Sequence, residues 1–166
     1  MAGSVRLSDR PGEVKMAATI LAGGPSAPFP GAWRNTTLKK MANTLIVETY
    51  PGMGRGVCST VPILRGTIVE VSPVIPLSAK DWKLIKLTIL ETYVYAWGKK
   101  GRELAVPLGF GGIFNHADDP NLTFFLNLKN KWITFRARRD IPAHEQLTID
   151  YQWTKADRKK FFGEGG

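Results

Sequence analysis

Asn115 and His116 stand side by side at the head of a polar run, Asn115-His116-Ala117-Asp118-Asp119-Pro120-Asn121, which follows a glycine group made of Gly109, Gly111 and Gly112. An amide and an imidazole together can hold a ligand through directed hydrogen bonds, and the imidazole can also carry a proton. Further along, Glu145-Gln146-Leu147-Thr148-Ile149-Asp150-Tyr151-Gln152-Trp153 reads as a short apolar strand ending in a tyrosine, with a second large aromatic two places later. Upstream, Gly52-Met53-Gly54-Arg55-Gly56 offers closely approachable backbone of the kind that meets phosphates. Taken singly, each segment also has a plain structural explanation. The Asn-His pair fits a satisfied turn, the tyrosine an edge strand with a wet hydroxyl, and the glycine cluster a turn between strands.

Several chemistries are excluded or left weak by what surrounds these residues. No Lys-Ser/Thr follows the glycine cluster, and Val57 to Val61 reads as strand, so both the phosphate-loop and dinucleotide readings lack their helix N-terminus. A hydrolytic trio of Ser59, His116 and Asp150 has no nucleophile-elbow context. Asp118 with Asp119, or Asp140 with Glu145, reads as solvated turn chemistry before it reads as a magnesium site. Cys58 is the sole cysteine and His116 and His144 the sole histidines, so no internal disulfide and no Cys/His zinc site is expected, and no metal is assigned. The scattered methionines are read as core filler.

The elements that must position these groups are mostly strands. Short β-prone runs separated by turns cover Thr44 to Glu48, Arg55 to Thr60, Thr67 to Ser72, Glu103 to Leu108, Asn121 to Leu128 and Trp132 to Arg138. The last two alternate about Lys129-Asn130-Lys131, which predicts a hairpin with Ile133, Phe135 and Ala137 on one face. Ser78 followed by Asp81 has capping-box spacing, and Trp82, Ile85 and Ile89 share a helical face, so one helix is expected from about 79 to 92. Lys80, Lys83 and Lys86 fall largely off that stripe, on a solvated face or one that meets an acidic partner.

At 166 residues, with 43% hydrophobic and 10% aromatic content, the chain suits one domain with a real core. Residues 1 to 43, rich in Gly, Pro, Ala and Ser, are expected to be a disordered extension, with order beginning near Thr44. Asp9 and Glu13 fit a mitochondrial transit peptide poorly, and no apolar run suits a membrane span or signal core, so a soluble intracellular protein is expected. The net charge of +9 is spread along the chain, with six basic against two acidic residues before position 44 and seventeen against twelve after it. Such a field favours acidic surfaces, nucleic acid or nucleoprotein.

Taken together and in order, these pieces resemble the SET-domain family of lysine methyltransferases, whose landmarks are a Gly-x-Gly turn, an Asn-His-x-x-x-Pro-Asn loop and a Leu-x-x-x-Tyr ending. They stand here as Gly54-Arg55-Gly56, as Asn115-His116 through Pro120-Asn121, and as Leu147 through Tyr151, within a resemblance spanning roughly residues 45 to 153. Connectors such as Gly66 to Val74, Thr88 to Trp97 and Leu108 to Gly112 are similar to the small fungal and bacterial members. The resemblance implies a mostly β SET fold of several small sheets, β-clip-like, with one helix and short helical turns. It also implies transfer of a methyl group from S-adenosylmethionine to a protein lysine, a reaction that needs alignment and electrostatics and neither a metal nor a covalent intermediate.

Carried over by residue, the resemblance makes Tyr151 catalytic and assigns Gly54, Arg55, Gly56, Asn115 and His116 to the cofactor. It lines the lysine channel with Phe124, Trp153 and Tyr95, or with Trp97 beside them. Phenylalanine at 124, where relatives carry Phe or Tyr, implies di- or trimethylation. For Phe124 and Trp153 ordinary core packing is the alternative. Cys58 replaces a usual Phe, Gly111-Gly112 a usual Gly-Ser, and Gln152 a frequent Gly, while the zinc-bound cysteine cluster of many relatives has no counterpart. Residues 154 to 166, with Phe161 and Phe162, are expected to close the pocket instead, and some small relatives are homodimers. A histone tail, that of histone H3 above all, is the implied substrate, in a nuclear setting with nucleosomal DNA as a further contact. The alternatives are a ribosomal or other protein substrate, and a catalytically silent SET module that binds nucleoprotein.

Overall fold

The computed structural model describes residues 44–152. The expectations for residues 1–43, for Trp153 and for residues 154–166 lie outside the described residues. The described part is built from two β-sheets. One has four strands in the order β1 (Leu45–Tyr50), β2 (Gly54–Ser59), β9 (Gln146–Ile149) and β6 (Asn115–His116). The other has five, in the order β4 (Tyr95–Trp97), β5 (Glu103–Pro107), β3 (Ile68–Leu77), β8 (Trp132–Ala137) and β7 (Leu122–Asn127). Among the described residues there is one α-helix, α1 (Ala79–Ile85), with 3-10 turns at Ile89–Tyr93 and Gly109–Gly112. The mostly β fold read from the sequence is therefore the fold found.

The β7–β8 hairpin forms as its alternation demands. Leu122 pairs with Ala137 and Asn127 with Trp132, and Ile133, Phe135 and Ala137 are all buried. Asn127 Oδ1 accepts from the Asn130 N–H at 3.0 Å in the turn, where Lys131 takes φ 56°. β3 runs five residues past its expected end at Ser72, through Pro73 and Pro76. It tolerates both because its first half pairs with β8 and its second half with β5. Each half thus has one unpaired flank, where a missing N–H breaks no ladder bond.

The helix is a correction. It stops at Ile85, not near 92, and Ile89 is 74% exposed, not part of the buried stripe. Its start is as expected: the Asp81 N–H donates to Ser78 Oγ at 3.1 Å and the Ser78 N–H to Asp81 Oδ2 at 2.9 Å. Its stop is local. Thr88 Oγ1 donates to the Ile85 carbonyl at 2.8 Å and accepts from the Leu90 N–H at 3.2 Å, so one side chain ends the helix and caps the 3-10 turn after it. Trp82 from α1 packs with Val94, Ala96 and Leu104 in a small second core. The main core, including Val57, Phe114, Phe135, Leu147 and Ile149, lies between the sheets.

Candidate active site

β6 is two residues long and would not persist alone. It is held by parallel pairing to β9, Asn115 with Thr148 and His116 with Ile149, which sets the Asn-His pair beside the strand that leads into Tyr151. The buried Asn121 locks the loop between them. Its side-chain oxygen accepts from the Thr148 N–H at 2.9 Å, and its Nδ2 donates to the Gln146 carbonyl and to Glu145 Oε1, both at 2.8 Å. The closing Asn of the motif is thus a structural tether.

The glycine turn meets the same place from the other side. Asn115 Nδ2 donates to the Arg55 carbonyl at 3.2 Å. A Cβ on Gly56 would stand 2.6 Å from Gln146 Nε2, 2.7 Å from Asn115 Nδ2 and 2.8 Å from Tyr50 Cδ2, so any side chain here forces these three neighbours to shift. Gly54 is glycine for another reason: its φ is +71°, with open space around it. Gln146 and Tyr50 are parts of this cradle that sequence reasoning missed. Their types carry no signal by themselves; only the pairing of β2 with β1 and β9 brings them there. Gln146 Nε2 is buried and makes no hydrogen bond within the described residues, which marks it as a donor with capacity left for a bound molecule.

His116 Nδ1 accepts from the Tyr151 N–H at 3.1 Å, which puts the proton of the neutral imidazole on Nε2, facing Asp118 Oδ1 at 3.3 Å. Asp150 Oδ1 lies 3.9 Å from Nδ1. The His116 and Tyr151 rings are 5.3 Å apart. Tyr151 donates its hydroxyl proton to the Phe114 carbonyl at 2.7 Å, so the phenol oxygen is oriented as an acceptor.

Tyr95 lies fully buried and donates to the Gly111 carbonyl at 2.6 Å, with its ring edge-on to Phe124 at 5.4 Å. Burial, and secondarily the nearby Tyr151 phenol, hold its pKa well above the usual range, so it stays a neutral donor. Gly111 is held in turn by Ser72, whose Oγ accepts from the Gly111 N–H at 3.1 Å and donates to Glu70 Oε1 at 3.1 Å. Burial raises the Glu70 pKa, against hydrogen bonds from Ser72 and from the Phe110 backbone. Glu70 and Ser72 are further supports not picked out from the sequence. Trp97 is core.

The competing readings come apart on the same geometry. The Ser59 hydroxyl is taken up by the Val61 N–H and by Thr44. Asp140 accepts from the Arg65 N–H at 2.7 Å, while Glu145 pairs with Arg139, whose hydrogen bond holds the Glu145 carboxyl below its ordinary pKa. These two acids therefore serve different partners. Asp118 and Asp119 are exposed.

Comparison with known proteins agrees with this arrangement. A family model described as the SET domain matches residues 54–152, more than half of the chain. A protein of Schizosaccharomyces pombe, described as a histone-lysine N-methyltransferase specific for lysine 37 of histone H3, is 35% identical over 99 residues. That match covers 59% of this chain and 66% of the relative, just under two thirds of its length. A crystal structure from Plasmodium falciparum, of a protein described as a candidate histone methyltransferase, superposes with a TM-score of 0.53 at 23% identity. It covers 68% of this chain and 96% of that one, a likeness of fold. With the glycine turn, the Asn-His strand and the terminal tyrosine gathered at one place and the family model running through all three, the chain belongs to the SET-domain family.

Proposed function

We propose that this chain is an S-adenosylmethionine-dependent protein-lysine N-methyltransferase whose substrate is the tail of histone H3. The observation that carries the reading is the position of Tyr151, whose N–H donates to His116 Nδ1 next to Asn115, the residue that meets the Arg55 carbonyl of the glycine turn. S-adenosylmethionine, when bound, supplies an electrophilic methyl group on a sulfonium centre. The chain's own work is alignment and desolvation. The backbone of Gly54, Arg55 and Gly56, with Asn115 and His116, holds the cofactor, and Gln146 Nε2 adds a donor. Tyr151, its proton committed to the Phe114 carbonyl, offers its oxygen as acceptor to the reacting groups.

Lysine must arrive neutral, which near pH 7.4 costs about 4 kcal/mol for a pKa of roughly 10.4. An apolar channel lined by Tyr95 and Phe124 lowers that cost by disfavouring the ammonium form. The displaced proton leaves to solvent before attack. Phe124, lacking a hydroxyl, leaves room for di- or trimethylation.

The Schizosaccharomyces pombe relative's specificity, as described, supports the histone substrate. The +9 charge favours nucleosomal over free tails through contact with DNA, and nuclear action follows from that substrate. The resemblance to small family members favours a homodimer as the assembly. The test is transfer of labelled methyl from S-adenosylmethionine to nucleosomes, free histones and ribosomal proteins, followed by mass spectrometry of the products. Label on histone H3 is expected; label on ribosomal proteins alone refutes the substrate. DNA binding at low salt with no cofactor binding by calorimetry refutes the activity in favour of a silent module.

A further inference from the structure

Glu48 on β1, Cys58 on β2 and His144 in the turn before β9 each offer one ligand atom, and the three atoms lie within 4.8 Å of one another. The sheet gathers them. Glu48 pairs with Gly56 and Ile46 with Cys58, so Glu48 stands diagonally across from Cys58 on the same face. Cys58 pairs with Gln146, two residues after His144. The His144 N–H donates to the Ser59 carbonyl at 2.8 Å, and its backbone takes φ 64°, an uncommon conformation for histidine. Cys58 is 0% exposed and forms the floor, with His144 at the surface. The Tyr50 hydroxyl is buried beside the Cys58 thiol and the Glu48 carboxylate yet makes no well-formed hydrogen bond. Neither Glu48, Cys58 nor His144 has a part in the proposed methyl transfer.

We propose that Glu48, Cys58 and His144 bind one zinc-class divalent cation, with water or the Tyr50 oxygen as fourth ligand. A thiolate, an imidazole and a carboxylate form a mixed donor set typical of zinc. Metal–ligand bonds of about 2.0–2.3 Å at tetrahedral angles put the ligand atoms roughly 3.3–3.6 Å apart. Rotation of the Glu48 and His144 side chains closes the remaining gap. On binding, a metal–sulfur bond replaces the S–H bond and the thiol proton passes to solvent. Counting cysteines and histidines alone excluded zinc because it left out the carboxylate supplied by a neighbouring strand. The ion ties three elements together two residues from Gly56, and so stiffens the floor of the cradle. His116 is no competitor, since its two ring nitrogens face different partners, the Tyr151 N–H and Asp118.

The full chain, stripped with chelator, is titrated with Zn²⁺ alone by calorimetry and with Co²⁺ by absorption. Stoichiometric binding and a thiolate-to-cobalt charge-transfer band are expected. Affinity should fall about tenfold or more in Glu48→Gln, in Cys58→Ser and in His144→Asn. His144→Asn keeps a residue that tolerates the left-handed backbone, so it remains informative if the buried Cys58→Ser variant fails to fold. Zinc should raise the melting temperature of the natural protein and not that of His144→Asn. The proposal is overturned by an absence of saturable zinc binding, by unchanged affinity in His144→Asn, or by loss of binding in His116→Ala instead. None of these readouts depends on methyl transfer.

Discussion

Replacing Gly56 by alanine isolates the close approach on which the proposed cofactor cradle depends. Gly56 does not need a positive φ, so the substitution carries no intrinsic backbone penalty. Its whole cost is steric, from three contacts under 3.0 Å with Gln146, Asn115 and Tyr50. These side chains belong to β9, β6 and β1, so no single rotation clears the new methyl group. Overpacking of this kind costs about 1–3 kcal/mol. Gly54→Ala is the matched contrast: nothing lies within 4 Å of its added Cβ, and its cost comes from φ +71° alone, about 1–2 kcal/mol. Urea denaturation separates the two. Gly54→Asn should recover most of the Gly54→Ala loss, because asparagine tolerates that conformation, whereas Gly56→Asn should be worse than Gly56→Ala. Gln146→Ala should relieve part of the Gly56→Ala loss and leave the Gly54→Ala loss untouched. Cofactor titration of Gly56→Ala should show weakened affinity, and single-turnover transfer should slow by on the order of 10²-fold if the clash displaces the site by about 1 Å. Wild-type stability together with wild-type cofactor affinity in Gly56→Ala would refute the cradle.

Tyr151→Phe should lower kcat by about 10²–10³-fold with cofactor affinity near normal, measured by single-turnover transfer and calorimetry, because in the proposed mechanism the lost oxygen acts on the reacting groups. Asn121→Ala leaves the buried Thr148 N–H without its acceptor. It should cost about 1–3 kcal/mol in urea denaturation and loosen Tyr151 along with β9. Glu70→Gln tests the buried carboxyl. A raised carboxyl pKa means that the folded state holds its proton more tightly, so the stability this confers is present at low pH and is lost as pH rises through the folded pKa. Stability of Glu70→Gln should be flat across that range and at pH 7 equal to or above wild type, since glutamine Oε1 can still accept from Ser72 and Phe110. A variant less stable than wild type at every pH would contradict this.

How much was legible in the sequence depended on how local the responsible physics is. The β7–β8 hairpin was readable because strand periodicity and a short turn act over neighbouring residues, and the buried face of Ile133, Phe135 and Ala137 followed directly. The helix start was readable from Ser78 and Asp81 for the same reason. Its end was not, because the Thr88 hydroxyl competed with an apolar stripe that looked continuous. The order and spacing of the glycine turn, the Asn-His loop and Tyr151 identified the family without any contact being known. Tertiary structure alone decided the rest. Parallel pairing of the two-residue β6 with β9 brings His116 under the Tyr151 backbone, a contact between residues 35 apart. The packing of β1, β2 and β9 sets Tyr50 and Gln146 against Gly56, and Glu48 and His144 near Cys58. A residue's type states what chemistry it can do, but which partners it meets is fixed by strand register across long loops, and no local pattern encodes that.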